Sequence, residues 1–189
     1  MRVISGSAKG IKLASVPGKS TRPITDQVKE ALFNILGPEI VDATMLDLFG
    51  GTGAVGIEAL SRGAEYVLFL DNNYRAYQVI KQNLEATDLS PYANVMKKDA
   101  FVLLREEPKQ CFDYIYVAPP QYRSLWSKAM LMLDENPGWL GIDGIIIVQI
   151  HPKEFEKDIG YTNFKQFDIR EYGDTILVFY EVNSLKKDF

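Results

Sequence analysis

The segment MLDLFGGTGAVG, residues 45–56, constrains the fold more than any other part of the chain. An apolar run of strand length leads into clustered glycines and then into a helix start. Glycines let the backbone turn sharply and let a ligand lie against it, and the helix N-terminus offers free amides to a polar or anionic group. The spacing Gly51-x-Gly53-x-x-Gly56, with Asp71 after the next apolar run, matches the dinucleotide fingerprint. This segment alone fits a nicotinamide or flavin dinucleotide, S-adenosylmethionine (SAM), or a tight turn without a ligand.

The rest of the chain alternates between apolar runs of strand length and helical patterns. Strands are predicted at 44–49, 66–70, 94–98, 112–117 and 144–150, and helices at 54–62, 74–86, 100–104 and 124–133. Such alternation is typical of right-handed crossovers and a buried, mostly parallel sheet. Two further strands, 164–172 and 175–182, flank a tight turn and predict an antiparallel hairpin at the end. We therefore expect a doubly wound, Rossmann-like α/β fold.

The first 38 residues follow a different pattern. Residues 3–14 alternate loosely and predict a short hairpin or bent strand pair, which a loop at 17–23 follows. A helix then begins at Thr25 or Asp26, has Val28, Leu32 and Ile35 as its apolar stripe, and ends at Gly37-Pro38. We divide the chain into an N-terminal extension, 1–38, and a domain, 39–189.

Every charged residue before Asp26 is basic, namely Arg2, Lys9, Lys12, Lys19 and Arg22. The whole chain has a net charge of −4, which argues against a strong general nucleic-acid binder. The distribution of charge instead indicates a basic arm on an acidic body. From charge alone, a chance lysine-rich hairpin is an equally good explanation.

Composition and cysteine usage restrict the class of protein. A length of 189 residues fits one domain with a sizeable core. No apolar run approaches the roughly 20 residues of a membrane helix, and the N-terminus lacks a signal-peptide pattern, so we expect a cytoplasmic protein. The single cysteine, Cys111, is expected to be half-buried, and with the single His151 it cannot supply a four-ligand zinc site. No metal is expected.

Two carboxylates favour SAM over a dinucleotide. Asp47 lies inside the first strand, where it is well placed to hold the cationic amino group of a methionine moiety and badly placed beside a pyrophosphate. Asp99 follows the third strand, where it can accept a hydrogen bond from an adenine amine, although it is an equally good helix N-cap. Asp71 would accept hydrogen bonds from the two ribose hydroxyls.

The end of the fourth strand adds a third feature, the run Ala118-Pro119-Pro120-Gln121-Tyr122. Its prolines stop the strand and leave backbone carbonyls aimed out of the carboxyl edge of the sheet, where ligands bind in open α/β folds. Tyr122 is a candidate to stack on a flat base, whereas we expect Trp126, the other aromatic residue nearby, to be a packing residue. The run therefore indicates a ligand with a planar ring at this edge of the sheet.

Motifs along nearly the whole chain resemble one known family. The N-terminal block contains RVISG, KG, KL, TRPITD and KEALFNIL, and LDLF and EALSRGA follow it. These motifs are similar to those of the bacterial 16S ribosomal-RNA guanine-N2 methyltransferases. The resemblance implies a seven-stranded SAM-methyltransferase fold, a small-subunit ribosomal RNA or 30S assembly intermediate as partner, and a monomer.

The resemblance also implies roles for particular residues. The basic arm would contact RNA through Arg2, Lys9, Lys12, Arg22 and Lys29. The cofactor would be held by Asp47, Phe49, Gly51, Gly53, Asp71, Asn72, Asp99 and Ala100. The base and its reacting amine would be held by Ala118, Pro119, Pro120, Gln121 and Tyr122.

The chain departs from the family at its catalytic motif, which is normally Asp or Asn followed by Pro-Pro-Tyr. Here Ala118 takes the first position and Gln121 precedes Tyr122. In the family motif, the acidic or amide oxygen and a carbonyl accept hydrogen bonds from the amine and aim its lone pair at the methyl group. We hypothesise that Gln121, or a backbone carbonyl of the motif, replaces the missing side chain.

Three other functions stay open on the sequence alone. The lost side chain allows a catalytically weakened RNA-binding or assembly factor. The glycine loop allows an oxidoreductase that uses NAD. The Pro-Pro motif allows an amino-methyltransferase that acts on another nucleic acid, such as DNA.

Overall fold

A seven-stranded sheet forms the centre of the computed structural model, which describes residues 1–17, 24–156 and 159–183. Its strands are β1 (Thr44–Asp47), β2 (Tyr66–Leu70), β3 (Ala93–Met96), β4 (Phe112–Val117), β5 (Leu140–Ile150), β6 (Phe164–Tyr172) and β7 (Thr175–Val182). They lie in the order β3-β2-β1-β4-β5-β7-β6. Strands β1 to β5 are parallel, and β7 is antiparallel to β5 and β6. The predicted doubly wound fold is confirmed.

Helices cover both faces of the sheet. On one face lie α1 (Asp26–Leu36), α2 (Ala54–Ser61) and α3 (Tyr74–Ala86), and on the other lie α4 (Ala100–Leu104) and α5 (Leu125–Glu135). Alternate residues of each strand face opposite ways. Met45, Tyr114 and Ile147 therefore belong to the first apolar cluster, while Leu46, Ile115 and Ile146 belong to the second. Because both faces of the central strands are buried, β1, β2 and β4 are mainly apolar, whereas the edge strand β6 is largely exposed and polar.

Most predicted elements are present, with shifted ends. Strand β1 ends at Asp47 rather than at 49, so the cavity-forming loop begins two residues earlier. Strand β5 begins at Leu140 rather than at 144, because a 3-10 turn at Pro137–Trp139 leads straight into it. Helix α1 is capped by Thr25, as predicted. Its buried stripe ends with Leu36 and not with Ile35, which is exposed.

The first part of the N-terminal extension, which precedes α1, forms an irregular loop and not a regular hairpin. Its strands reduce to one antiparallel bridge between Arg2 and Lys12, next to a hydrogen bond from the Val3 N–H to the Ile11 carbonyl at 3.0 Å. The loop packs so closely on α2 that a Cβ on Gly6 would lie 1.6 Å from the Ser61 carbonyl oxygen. The extension is thereby fixed to the helix that follows the glycine loop.

The structure contradicts one simpler expectation, the burial of Cys111. Cys111 is exposed, so the prediction of a half-buried residue is wrong; it lies in the loop that precedes β4. Within the described residues, no helix combines the length and the apolar character needed to cross a membrane. Those residues also contain no cluster of His, Cys, Asp or Glu side chains that could hold a metal ion.

Candidate functional site

A cavity of about 650 Å³ opens at the carboxyl ends of the parallel strands. It brings together most of the site residues predicted from the sequence: Asp47, Phe49, Gly51, Asp71, Asn72, Asp99, Ala100, Ala118, Pro119, Pro120 and Gln121. Gly53 and Tyr122 are the two site residues outside the lining. Gly53 is the N-cap of α2, where its positive φ of 77° favours glycine.

Asp71 holds the glycine loop in place. One carboxylate oxygen accepts a hydrogen bond from the Gly51 N–H at 2.9 Å, and the other accepts one from the Asn73 N–H at 2.8 Å. The loop is also tied to β2, because the Gly50 N–H donates to the Leu70 carbonyl at 2.7 Å. Burial raises the pKa of Asp71, while both backbone donors lower it. Each oxygen keeps a lone pair for a further donor, such as a ribose hydroxyl.

Asp47 is a buried carboxylate without a full set of partners. Its side chain lines the cavity at 1% exposure, and its Oδ1 has no hydrogen-bond partner among the described residues. Burial, followed by the charge of Asp71, raises its pKa from 3.8 to about 7, against the opposing effect of the Phe49 N–H. A buried carboxylate of this kind is stabilised by a cation or by a donor from a ligand. The position therefore fits an ammonium group.

Asp99 has the structural role that the sequence left open. Its Oδ1 caps α4 by accepting hydrogen bonds from the N–H groups of Phe101 and Val102, at 2.8 and 3.2 Å. Its other oxygen lies 3.4 Å from the Asn72 amide nitrogen and borders the cavity. The rings of Phe49 and Phe101 also line the cavity and meet edge to face, with centroids 6.0 Å apart. Apolar ring surface beside a polar rim suits a flat heteroaromatic base.

The turn after β4 is held by the segment after β5. Tyr122 has a positive φ of 60°, and its N–H donates to the Glu154 carboxylate at 2.6 Å. Its exposed ring lies 5.6 Å from the ring of His151 and is free to stack on a base. Trp126 is not, because it is 2% exposed and stacks on Phe155 inside the core. The expected packing role of Trp126 is therefore confirmed.

Two hydrogen-bonded residues of the cavity are among those that sequence analysis missed. Tyr116 and Gln149 both line the cavity, and the Tyr116 O–H donates to the side-chain oxygen of Gln149. Burial, followed by the nearby Asp47, raises the pKa of Tyr116 well above its usual value, so its hydroxyl stays protonated. The available signal was strand alternation, which places both residues on the same face as Asp47.

One protein family matches the sequence along nearly its whole length. The family described as Conserved hypothetical protein 95 matches residues 1–181. The chain belongs to this family.

Named relatives and a solved structure agree with this membership. A Bacillus subtilis protein, provisionally named rRNA methyltransferase YlbH, is 44% identical over 158 residues, covering 82% of this chain and 85% of its own. Ribosomal RNA small subunit methyltransferase D of Escherichia coli K12 is 37% identical over 149 residues, covering 79% and 74%. The solved structure of Escherichia coli yhhF has a TM-score of 0.85 at 32% identity and covers 97% of this chain and 98% of its own.

In this member of the Conserved hypothetical protein 95 family, the basic extension is only partly available to a partner. Arg2, Lys9 and Lys12 are exposed, although Arg2 lies 3.8 Å from Asp26. Arg22 lies outside the described residues. The remaining predicted contact, Lys29, has a different role.

Lys29 is fully buried, so the expectation that it contacts RNA is wrong. Its ammonium lies 3.1 Å from the Glu58 carboxylate and donates to the Arg2 carbonyl at 2.6 Å. Glu58, also fully buried, accepts from the N–H groups of Ile4 and Ser5, at 2.8 and 3.0 Å. A paired and hydrogen-bonded charge can be buried at tolerable cost. Lys29 therefore anchors the extension to the domain.

Proposed function

We propose that this protein transfers a methyl group from SAM to the N2 amine of a guanine in small-subunit ribosomal RNA. The observation that carries the proposal is the buried carboxylate of Asp47 in a cavity between a glycine loop and a Pro-Pro turn. In the part of the chain that the structure describes, its Oδ1 has no hydrogen-bond partner. The names of its relatives from Bacillus subtilis and Escherichia coli support the same reaction class and RNA substrate.

The cavity residues fit the parts of SAM. Asp47 would pair with the ammonium of the methionine part, which relieves the cost of its burial. Asp71 would accept hydrogen bonds from the ribose hydroxyls. Asp99 borders the place where Phe49 and Phe101 offer apolar ring surface to the adenine. SAM supplies the reactive methyl group, and these residues bind and orient it.

The residues after β4 would orient the base. The backbone carbonyls of Ala118 and Pro119 are acceptors for the exocyclic amine, because the following prolines bring no N–H to compete. Holding the amine hydrogens on acceptors aims the nitrogen lone pair, and such positioning accounts for much of the rate. Gln121 lines the same cavity, and the exposed Tyr122 ring can stack on the base once it has left its helix.

The N-terminal extension would bind RNA phosphates through Arg2, Lys9 and Lys12. Arg22, which lies outside the described residues, is a fourth candidate. Residues 1–38 would thus form the RNA-contacting extension of a catalytic domain at 39–189. The protein would act as a cytoplasmic monomer on ribosomal RNA or on a 30S assembly intermediate. Phosphate contacts make the affinity fall as salt rises.

The competing functions are less well supported by the same cavity. An oxidoreductase would place a dinucleotide pyrophosphate near Asp47, where two negative charges would meet in a buried site. A non-catalytic assembly factor that still binds SAM would use Asp47 in the same way, so methyl transfer is the measurement that separates it from an enzyme. An amino-methyltransferase for DNA would use the same turn, so the choice of substrate must be measured.

The test is transfer of a labelled methyl group from SAM to purified small ribosomal subunits that lack the modification. We expect label in the RNA with the wild-type protein and at least a 100-fold lower rate with Asp47→Ala. A matched control is Asp88→Asn, since Asp88 is exposed and its φ of 57° is one that Asn tolerates. SAM binding without transfer to RNA or DNA would favour the assembly factor, and binding of NAD instead of SAM would favour the oxidoreductase.

A further inference from the structure

We propose that Gln149 is the side chain that recognises the reacting edge of the guanine, in place of the acidic residue that position 118 lacks. This inference rests on the proposed methyl transfer to a guanine amine. It differs from the hypothesis drawn from the sequence, which assigns the same role to Gln121 or to a backbone carbonyl of the turn.

The strand register places Gln149 beside the changed position. On the parallel strands β4 and β5, Tyr116 pairs with Ile147 and Val117 pairs with Val148. The next residues in this register are Ala118 and Gln149, and neighbouring strands lie about 4.8 Å apart. Because side chains alternate, both face the same side as Tyr116 and Ile147, towards the apolar cluster under α1, α2 and α3.

The two side chains differ in what they offer to the cavity that both line. Ala118 ends in a methyl group and has no acceptor. Gln149 carries a carboxamide on two methylene groups and lines the same cavity from β5, the strand next to Ala118. A polar group therefore returns to this part of the cavity from the neighbouring strand.

Tyr116 holds the carboxamide in a defined orientation. Its hydroxyl is buried and donates to the Gln149 side-chain oxygen. That oxygen has a second lone pair, and the amide nitrogen has two N–H donors. With one lone pair occupied by Tyr116, the carboxamide presents one acceptor and one donor side by side to a ligand.

This pair of groups is complementary to one edge of guanine. The exocyclic N2 amine is a donor, and the adjacent ring nitrogen N3 is an acceptor. The Gln149 oxygen would accept from one N2–H while its nitrogen donates to N3. Adenine has a C–H in place of that amine, so it cannot satisfy the acceptor, and an unpaired buried acceptor is costly. The carboxamide therefore selects guanine as well as orienting it.

A neutral amide also suits the charges already present. Asp47 and Asp71 both line the cavity, and the charge of Asp71 already raises the pKa of Asp47. A third carboxylate at this end would add further repulsion.

During the transfer, the N2 lone pair forms the bond to the methyl carbon, and the electron pair of the broken carbon–sulfur bond stays on sulfur. The methylated N2 then releases one proton to solvent.

The first test compares Gln149→Ala with Gln121→Ala, using the labelled-methyl assay and separate measurement of SAM affinity. We expect Gln149→Ala to lower kcat about 100-fold, the size found when one preorganised hydrogen-bonding group is removed, with SAM affinity changed less than twofold. Tyr116→Phe, which frees the carboxamide, should lower kcat about tenfold. Gln166→Ala is the matched control, because Gln166 is exposed on β6 outside the cavity.

A second test changes the substrate instead of the protein. An RNA with 3-deazaguanine at the mapped target keeps the N2 amine and loses the N3 acceptor. We expect a roughly tenfold lower kcat/KM for the wild type and no further loss for Gln149→Ala, because non-additive losses identify groups that contact each other.

The outcomes separate this inference from the function on which it rests. A wild-type protein that labels no RNA would overturn both. A wild-type protein that labels a guanine amine, with Gln149→Ala equally active or with Gln121→Ala alone inactive, would overturn the role of Gln149 and leave the methyltransferase function intact.

Discussion

Replacing Asp47 with Asn should stabilise the free protein and weaken its binding of SAM. The buried carboxylate of Asp47 has no hydrogen-bond partner for Oδ1 among residues 1–17, 24–156 and 159–183, and its pKa is raised from 3.8 to about 7. Asn has nearly the same shape and can keep the hydrogen bond from the Phe49 N–H through its side-chain oxygen, but it has no charge to bury. The substitution therefore separates the cost of the charge from the rest of the side chain.

The raised pKa of Asp47 sets the size of the stability difference between the two proteins and the pH range over which it develops. A rise of about three pKa units corresponds to about 4 kcal/mol, at about 1.4 kcal/mol per unit. The folded state binds this proton more tightly than the unfolded state, so ionisation of Asp47 destabilises the wild type progressively as pH rises from about 4 to 7. Asp47→Asn should match the wild type near pH 4 and be more stable by up to about 4 kcal/mol above pH 7.

The assays are chemical denaturation across pH 4–8 and calorimetric titration with SAM. Wild-type affinity for SAM should rise up to about tenfold per pH unit until pH 7, because only ionised Asp47 pairs with the ammonium. Asp47→Asn should bind about 100-fold more weakly, with no such pH dependence, and the surface control Asp88→Asn should behave as the wild type. A stability difference that does not change with pH, or undiminished SAM binding, would refute the assignment.

Three further predictions follow from the packing and the charges. Lys29→Ala should cost about 3–5 kcal/mol of stability, measured by denaturation, because it leaves the buried Glu58 without its cation. Gly56→Ala should cost several kcal/mol or abolish folding, seen by circular dichroism, because its Cβ would lie 2.3 Å from the Phe69 ring. The logarithm of the RNA association constant should fall with the logarithm of the salt concentration at a slope of about −2 to −3, as expected for three or four phosphate contacts. An affinity that does not change with salt would exclude phosphate binding by the extension.

The cofactor half of the cavity was predictable because its signals are local in the sequence. Glycine spacing, an acidic residue at a strand end and a proline pair each fix a turn within a few residues. Strand order then brings these turns to one edge of the sheet. Asp47, Asp71 and Asp99 accordingly lie around one cavity.

The parts that escaped sequence analysis depend on distant partners. Lys29 follows the basic N-terminal stretch closely in the sequence, and its burial depends on an ion pair with Glu58, 29 positions further along. Strand alternation assigns Gln149 to one face of β5, but its position beside Ala118 depends on the pairing of β5 with β4, which the sequence of β5 alone does not give. Contacts between separate elements decided each case.

The most direct test of the account is to identify the methylated nucleoside. Small subunits lacking the modification would be incubated with the protein and labelled SAM, the RNA digested, and the labelled nucleoside compared with methylated standards by chromatography. The account predicts label in N2-methylguanosine at a single position. Label in N1-methylguanosine, N7-methylguanosine or a methylated adenosine would contradict the assignment of the cavity to a guanine N2 amine.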